Sequence, residues 1–292
     1  MRKKHVLNSP RILELKKKRR RALQGKIFLV ILVLALVTGS FVFVARLPKL
    51  NIQGIEVAGN KIIETESIKE VYAENTAGEY LWLFPKTNFL LYPKNKIKDS
   101  LRNRYKRLKD ISFETNQSQI LQVSVSEREG KYTWCGENLP SAEENLGEKC
   151  YFLDDGGYIF DEAPYFSGNV YFRFFGKITG EDPAGASFLP QNFGNVARLR
   201  EFVEKIGLKP VALVAEGDNH LGDAQFILES PKPLSGSPRI IFKESANFEK
   251  IAENLQSAID TDPLKTELKN KYNSLLYIDL RFGNKVYYKF KN

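Results

Sequence analysis

Nineteen consecutive uncharged residues, IFLVILVLALVTGSFVFVA from Ile27 to Ala45, dominate the hydrophobic pattern of this chain. As a helix rising about 1.5 Å per residue they reach roughly 28 Å, close to the hydrocarbon thickness of a bilayer. Lys26 and Arg46 bracket them. The competing reading is a cleaved signal peptide with its site after Ser40. Against it, apolar residues continue through Ala45, and 26 residues are long for the region that precedes a signal-peptide core. The pattern predicts a single transmembrane anchor over 27–45.

After a short linker, Leu47–Asn51, the pattern changes period. Ile55 and Val57 alternate with Glu56 and Ala58, which predicts a strand ending at the turn Gly59-Asn60. Ser67 and Glu70 have capping-box spacing, and Ile68, Val71 and Tyr72 follow at helical spacing. YLWLF, Tyr80–Phe84, is apolar and stops at Pro85. A second helix is predicted over Lys94–Leu108, with Ile97, Leu101, Tyr105 and Leu108 in one stripe. Its other face is basic: Lys94, Lys96, Lys98, Arg102, Arg104, Lys106 and Arg107 are either solvated or meet an acidic partner or headgroups. Strands Ile111–Thr115 and Ile120–Arg128 close the unit. Its order is strand, helix, helix, strand, strand.

The remainder is richer in strands. Asp155-Gly156-Gly157 lies between two aromatic runs and predicts a hairpin. NVYFRFFG, VALVAEG, AQFILES and PRIIFKES read as strands. Helices are predicted from Asn195, as N-cap, to Gly207, and over NFEKIAENLQSAI with Phe248, Ile251, Leu255 and Ile259 in one stripe. The chain ends in a hairpin, YIDLRFGNKVYYKFKN, about the two-residue turn Gly283-Asn284. In its last strand Val286, Tyr288 and Phe290 face one way, and Lys285, Tyr287 and Lys289 the other. Asp279 and Arg281 share a face opposite Ile278, Leu280 and Phe282, where a cross-strand ion network and a partner contact are equally natural roles.

Charge sharpens the picture. The net charge is +9, but residues 1–26 hold eleven Lys or Arg against one acid, Glu14. The other 266 residues carry 33 basic and 34 acidic groups. The basic balance belongs to the tail, and a nucleic-acid protein more often carries it on the folded part. The run Lys16–Arg21, KKKRRR, places the tail in the cytoplasm and the rest outside. Cys135 and Cys150 then lie outside the cytoplasm, where a disulfide is expected and a pair of free thiols is the alternative.

Reactive chemistry is sparse. His220 sits in EGDNHLGD near Glu216, Asp218 and Asp223, a cluster that reads first as a surface loop and second as a metal site or base. Asp154-Asp155-Gly156-Gly157 lacks the alternating acids of a calcium loop. No catalytic or cofactor-binding residue is assigned.

Taken together, the basic tail, the anchor, IEVAGN, the helix with a Gly about 20 residues after that strand, VSVSEREGKYTW, and LLYIDLRFGNKVYYKF resemble the FtsQ/DivIB family of bitopic bacterial division proteins. The likeness spans the chain. The segment YLWLFPKTNFLLYP departs from it in being longer and more apolar, and the Cys-bounded insertion is unusual. The resemblance implies an α+β fold: cytoplasmic tail 1–26, transmembrane helix 27–45, a POTRA domain 46–129 and a β domain 130–292. It implies a non-enzymatic scaffold at the division septum, whose POTRA domain meets an upstream division protein. An FtsB/FtsL-like pair would add a strand along Lys285, Val286, Tyr287, Tyr288, Lys289 and Phe290. Cofactors, nucleic acid and small-molecule substrates have no place in this reading. Lys285 and Lys289 also suit a purely protective role on a sheet edge. The rival readings are a POTRA-bearing transport or secretion component and a membrane-tethered hydrolase using His220.

Overall fold

The computed structural model describes residues 10–115, 119–140, 149–180, 182–216 and 222–291. The fold is α+β. One helix among the described residues, α1 (Pro10–Ala45), is long and apolar enough to cross a membrane, and its apolar stretch is not buried against the rest of the chain. The chain forms two compact units, one of residues 1–101 with 110–125, the other of 102–109 with 126–292. From sequence the boundary lay at 129/130.

In the first unit α1 is followed by β1 (Gly54–Ala58), α2 (Thr65–Thr76), a small hairpin of β2 (Glu79–Tyr80) and β3 (Phe84–Pro85), α3 (Lys94–Arg104), β4 (Leu108–Thr115) and β5 (Ile120–Glu127), except that residues 102–109 and 126–127, Arg107 among them, count with the second unit. The strand order is β1-β5-β4, with β1 and β5 parallel and Val57 opposite Val123. Parallel neighbours cannot be joined by a tight turn, so the intervening helices serve as the crossover. Ile68, Val71, Ile97, Leu101, Leu121 and Val123 are buried. Two helix limits differ from the sequence expectation. Helix α2 starts at Thr65, so Ser67 and Glu70 lie inside it and form no capping box. Helix α3 stops at Arg104 because Leu108 is claimed by β4, where Leu108, Ile111 and Phe113 are buried. Arg107 therefore leaves the basic helical face; it is half-buried, and its Nε donates to Asp161 at 2.6 Å.

The second unit contains β6 (Tyr132–Trp134), β7 (Tyr151–Leu153), β8 (Ile159–Glu162), β9 (Phe172–Phe175), α4 (Phe193–Lys205), β10 (Pro210–Glu216), β11 (Asp223–Leu228), β12 (Arg239–Lys243), α5 (Phe248–Asp260), α6 (Leu264–Lys271), β13 (Leu275–Phe282) and β14 (Lys285–Phe290). All twelve elements but the three helices join one sheet, ordered β14-β13-β12-β11-β10-β9-β6-β7-β8. The parallel pairs β9/β10 and β12/β13 are connected through α4 and through α5–α6. Val196, Leu199 and Val203 of α4 and Ile251 and Leu255 of α5 share one core with Phe174, Phe226, Phe242 and Ile278 of the sheet. Asn192, not Asn195, precedes α4, and its side chain makes no cap bond; Gly207 ends the segment at φ +89°. Asn247 does cap α5, its Oδ1 accepting from Lys250 N–H at 3.0 Å.

The Asp-Gly-Gly segment forms the β7–β8 turn. Asp154 Oδ1 accepts from the N–H groups of Gly156 and Tyr158 at 2.9 and 3.0 Å, and Oδ2 pairs with Arg128. Asp154 is thus committed to shaping the turn. Cys135 and Cys150 are joined by a disulfide on the sheet face opposite the main core, beside Phe175, Ala212 and Ile227. Opening this bridge is expected to lower the unit's stability by about 3 kcal/mol, the entropy of a loop of this length. Denaturant unfolding with and without a reductant measures it, and an unchanged midpoint would refute it.

Candidate partner-binding edge

The final hairpin is built by two signals that conflict locally. A two-residue turn makes Phe282 and Lys285 partners, and that pair is observed, with Gly283 at φ +65°. Continuing this register without interruption would set the buried Ile278 opposite Lys289. Burial instead selects Ile278 opposite Tyr288 and Asp279 opposite Tyr287. The difference is absorbed by an irregularity between Asp279 and Phe282, where β13 holds one residue more than β14. A second lies between Leu275 and Tyr277. Strand β14 itself is regular: Val286, Tyr288 and Phe290 pack against the core, while Lys285, Tyr287 and Lys289 are exposed.

The irregularity also turns Phe282 outward. The alternation placed it with Ile278 and Leu280 on the core side; it is 55% exposed, and its ring lies 5.2 Å from that of Tyr287 in an edge-on arrangement. The Arg281 guanidinium stands 5.7 Å from the Phe282 ring. Phe282 is the residue that strand periodicity missed. The signal available was the turn, because cross-strand partners share a face and Lys285 is polar.

Asp279 and Arg281 belong to a cross-strand network. Arg281 Nε and Nη2 donate to the two Asp279 carboxylate oxygens at 2.9 and 2.6 Å, and Nη1 donates to Asp223 Oδ2 on β11 at 2.5 Å. Burial pushes the Asp279 carboxyl up, but the hydrogen bonds and charge of Arg281 outweigh it and hold the group below the usual carboxylate range. The same bonds raise the pKa of Arg281. From α5, Asn254 Nδ2 donates to Gly283 C=O at 2.7 Å and ties the turn to the helix layer. The hairpin is therefore held at its turn, across its face and through its core side.

Its outer side is open. Strand β14 ends the sheet and pairs with β13 alone. Among the described residues, no backbone group of Lys285–Phe290 bonds to anything beyond that ladder. In a six-residue antiparallel strand this leaves about six N–H and C=O groups facing outward. The opposite end of the sheet is treated differently. Ile159 of β8 donates to Ala186 C=O at 2.9 Å and accepts from Gly185 N–H at 2.8 Å, so that border is covered by the chain itself.

The proposed reactive cluster fares otherwise. His220 and Asp218 lie outside the described residues. Of its two described acids, Glu216 accepts from Gln225 and Asp223 from Arg281.

No protein-family model matches the chain, and no curated protein matches it.

Proposed function

We propose that this protein is a membrane-anchored assembly scaffold of the FtsQ/DivIB type, acting in bacterial division without catalysing a reaction. The observation that carries the reading is the open border of β14 beside the exposed Tyr287–Phe282 pair. Strand addition draws affinity from main-chain hydrogen bonds and selectivity from side chains next to the edge. Here the free backbone of Lys285–Phe290 takes the added strand, and Tyr287 and Phe282 form the apolar contact, with Lys285, Lys289 and Arg281 around it. The added strand belongs to an FtsB/FtsL-like pair. The first unit, with its strand-helix-helix-strand-strand order, is the POTRA domain and receives the upstream division protein. Helix α1 confines the chain to the membrane, which raises the local concentration of partners confined to the same surface.

Depletion in the organism that encodes it tests the reading. Cells are expected to elongate without dividing, and a fluorescent fusion of the full chain is expected at the division site. Normal division on depletion, with the fusion spread evenly along the membrane, would overturn it.

A further inference from the structure

Several large apolar side chains are exposed together in and beside the β2–β3 hairpin. Leu81 and Trp82, at the tip of the β2–β3 hairpin, are 81% and 89% exposed, and Leu90 nearby is 74% exposed. The tip is built against ordinary preference. The turn is closed by Leu83 N–H donating to Tyr80 C=O at 3.0 Å, and Leu81 and Trp82 both have positive φ, 51° and 58°. Turns with two such residues normally take Asn and Gly, which adopt that conformation cheaply and tolerate water. Two bulky apolar residues held there carry backbone strain and leave apolar surface in solvent, a combination that marks functional surfaces.

What surrounds the tip says which surface it meets. Arg46, the first residue after the apolar span, donates from Nε to Leu83 C=O at 3.2 Å and from Nη2 to Trp82 C=O at 3.2 Å and to Glu79 at 2.8 Å. Ala45, the last residue of α1, has its C=O capped by Asn51 and Asn88 side chains, each at 3.0 Å. Phe89 N–H and Ile52 N–H bond to Leu50 C=O and Thr87 C=O. The hairpin is therefore strapped to the end of α1 without an intervening flexible link. If α1 spans the bilayer, its 19 uncharged residues leave Ala45 where the acyl chains meet the headgroups, with no slack to lift the hairpin away. Trp is enriched at that depth because its ring is apolar and its N–H is polar. Lys86, whose Nζ lies 5.8 Å from the Tyr80 ring, supplies a cation on the same hairpin for the headgroup layer.

We infer that the Tyr80–Phe84 tip is a membrane-seated finger: Leu81 and Trp82 enter the outer leaflet at the headgroup boundary and fix the height and tilt of the first unit above the bilayer. This rests on α1 being a membrane anchor.

The two tryptophans of the chain make the test direct, since Trp134 is buried and Trp82 is not. The full-length Trp134→Phe protein is reconstituted in phosphatidylcholine–phosphatidylglycerol vesicles, with bromine placed either near the headgroup end of the acyl chains or near their termini. Trp82 emission is expected to shift to the blue, to resist iodide, and to be lost mostly to the shallow bromines. A Val33→Trp variant lacking both native tryptophans reports on α1 and is expected to be quenched most by the deep bromines. Quenching of the Val33→Trp probe with Trp82 unquenched and open to iodide overturns the finger and leaves the anchor standing. Quenching of neither removes the anchor and the finger with it. Trp82 shielded from iodide yet blind to bromine means that protein covers the tip, and also overturns the inference. Should Trp134→Phe fold poorly, the difference between the native protein and Trp82→Phe isolates the same signal.

Discussion

Proline at Tyr287 and proline at Tyr288 are expected to give opposite phenotypes. Successive N–H groups along a strand point to opposite edges, so one of these two donates to β13 and the other faces outward. Both positions lie in the regular part of the ladder, opposite Asp279 and Ile278. Removing the inner N–H takes a bond from the hairpin and sets a proline ring against β13, at a cost of about 1–3 kcal/mol in stability. Removing the outer N–H costs the fold little, because proline is tolerated on an edge strand whose N–H meets solvent. For an added strand the outer proline deletes a donor and obstructs the border, so the affinity of an FtsB/FtsL-like pair is expected to fall at least tenfold, roughly 1.4 kcal/mol. Unfolding midpoints for the two full-length variants, alongside recovery of the co-expressed pair, separate the effects. If the stable variant retains full binding, strand addition at β14 is wrong.

Arg281→Met is expected to cost the second unit about 3–5 kcal/mol at neutral pH, because it leaves the buried Asp279 carboxylate without its partner. Asp279 is 5% exposed, so water cannot replace the two bonds it loses. The pH dependence has a definite sign. In the native protein Arg281 holds the Asp279 pKa below its unfolded value of about 3.9. The pairing therefore adds stability that is fully present above that value and is lost as pH falls through the lower folded one. In Arg281→Met the side-chain bonds and the charge are gone, only the residue-281 N–H still bonds Asp279 Oδ1 at 3.1 Å, and burial, the largest influence, then raises the Asp279 pKa. The gap between variant and native protein should then be widest near neutrality and shrink toward about pH 4, where Asp279 takes up a proton. Adding Asp279→Asn to Arg281→Met should recover much of the loss at neutral pH. Denaturant unfolding followed by Trp134 emission in a Trp82→Phe background reads the second unit; a gap independent of pH would refute the buried charge as its cause.

Much of the organisation was legible because it rests on local periodicity. The stripe Phe248, Ile251, Leu255 and Ile259 predicted α5, since a face repeating every three to four residues can be buried only as a helix. The alternation Leu121, Val123, Val125 predicted β5 for the matching reason at period two. Helix limits failed where a neighbour competed for the same residue, as β4 did for Leu108. Helix α6 (Leu264–Lys271) went unread because its eight residues bury only Leu264, too few to make a stripe.

The terminal hairpin divides the two sources of information most clearly. Sequence alone determined that an uncharged span stands near the N-terminus, that Gly283-Asn284 turns the chain, and that Tyr287 lies on the face away from Val286 and Tyr288. Each follows from spacing along a few residues. Read together, turn and alternation even required one strand to hold an extra residue, though not where. Tertiary structure alone decided that Arg281 reaches Asp223, that β14 ends the sheet, and that the Leu81–Trp82 tip is strapped to the end of α1. These depend on groups brought together from distant parts of the chain: 58 residues separate Arg281 from Asp223, and 36 separate Arg46 from Trp82. Which strand is left unpaired is a property of the whole sheet's order, which helical crossovers set, and no short stretch of residues encodes it.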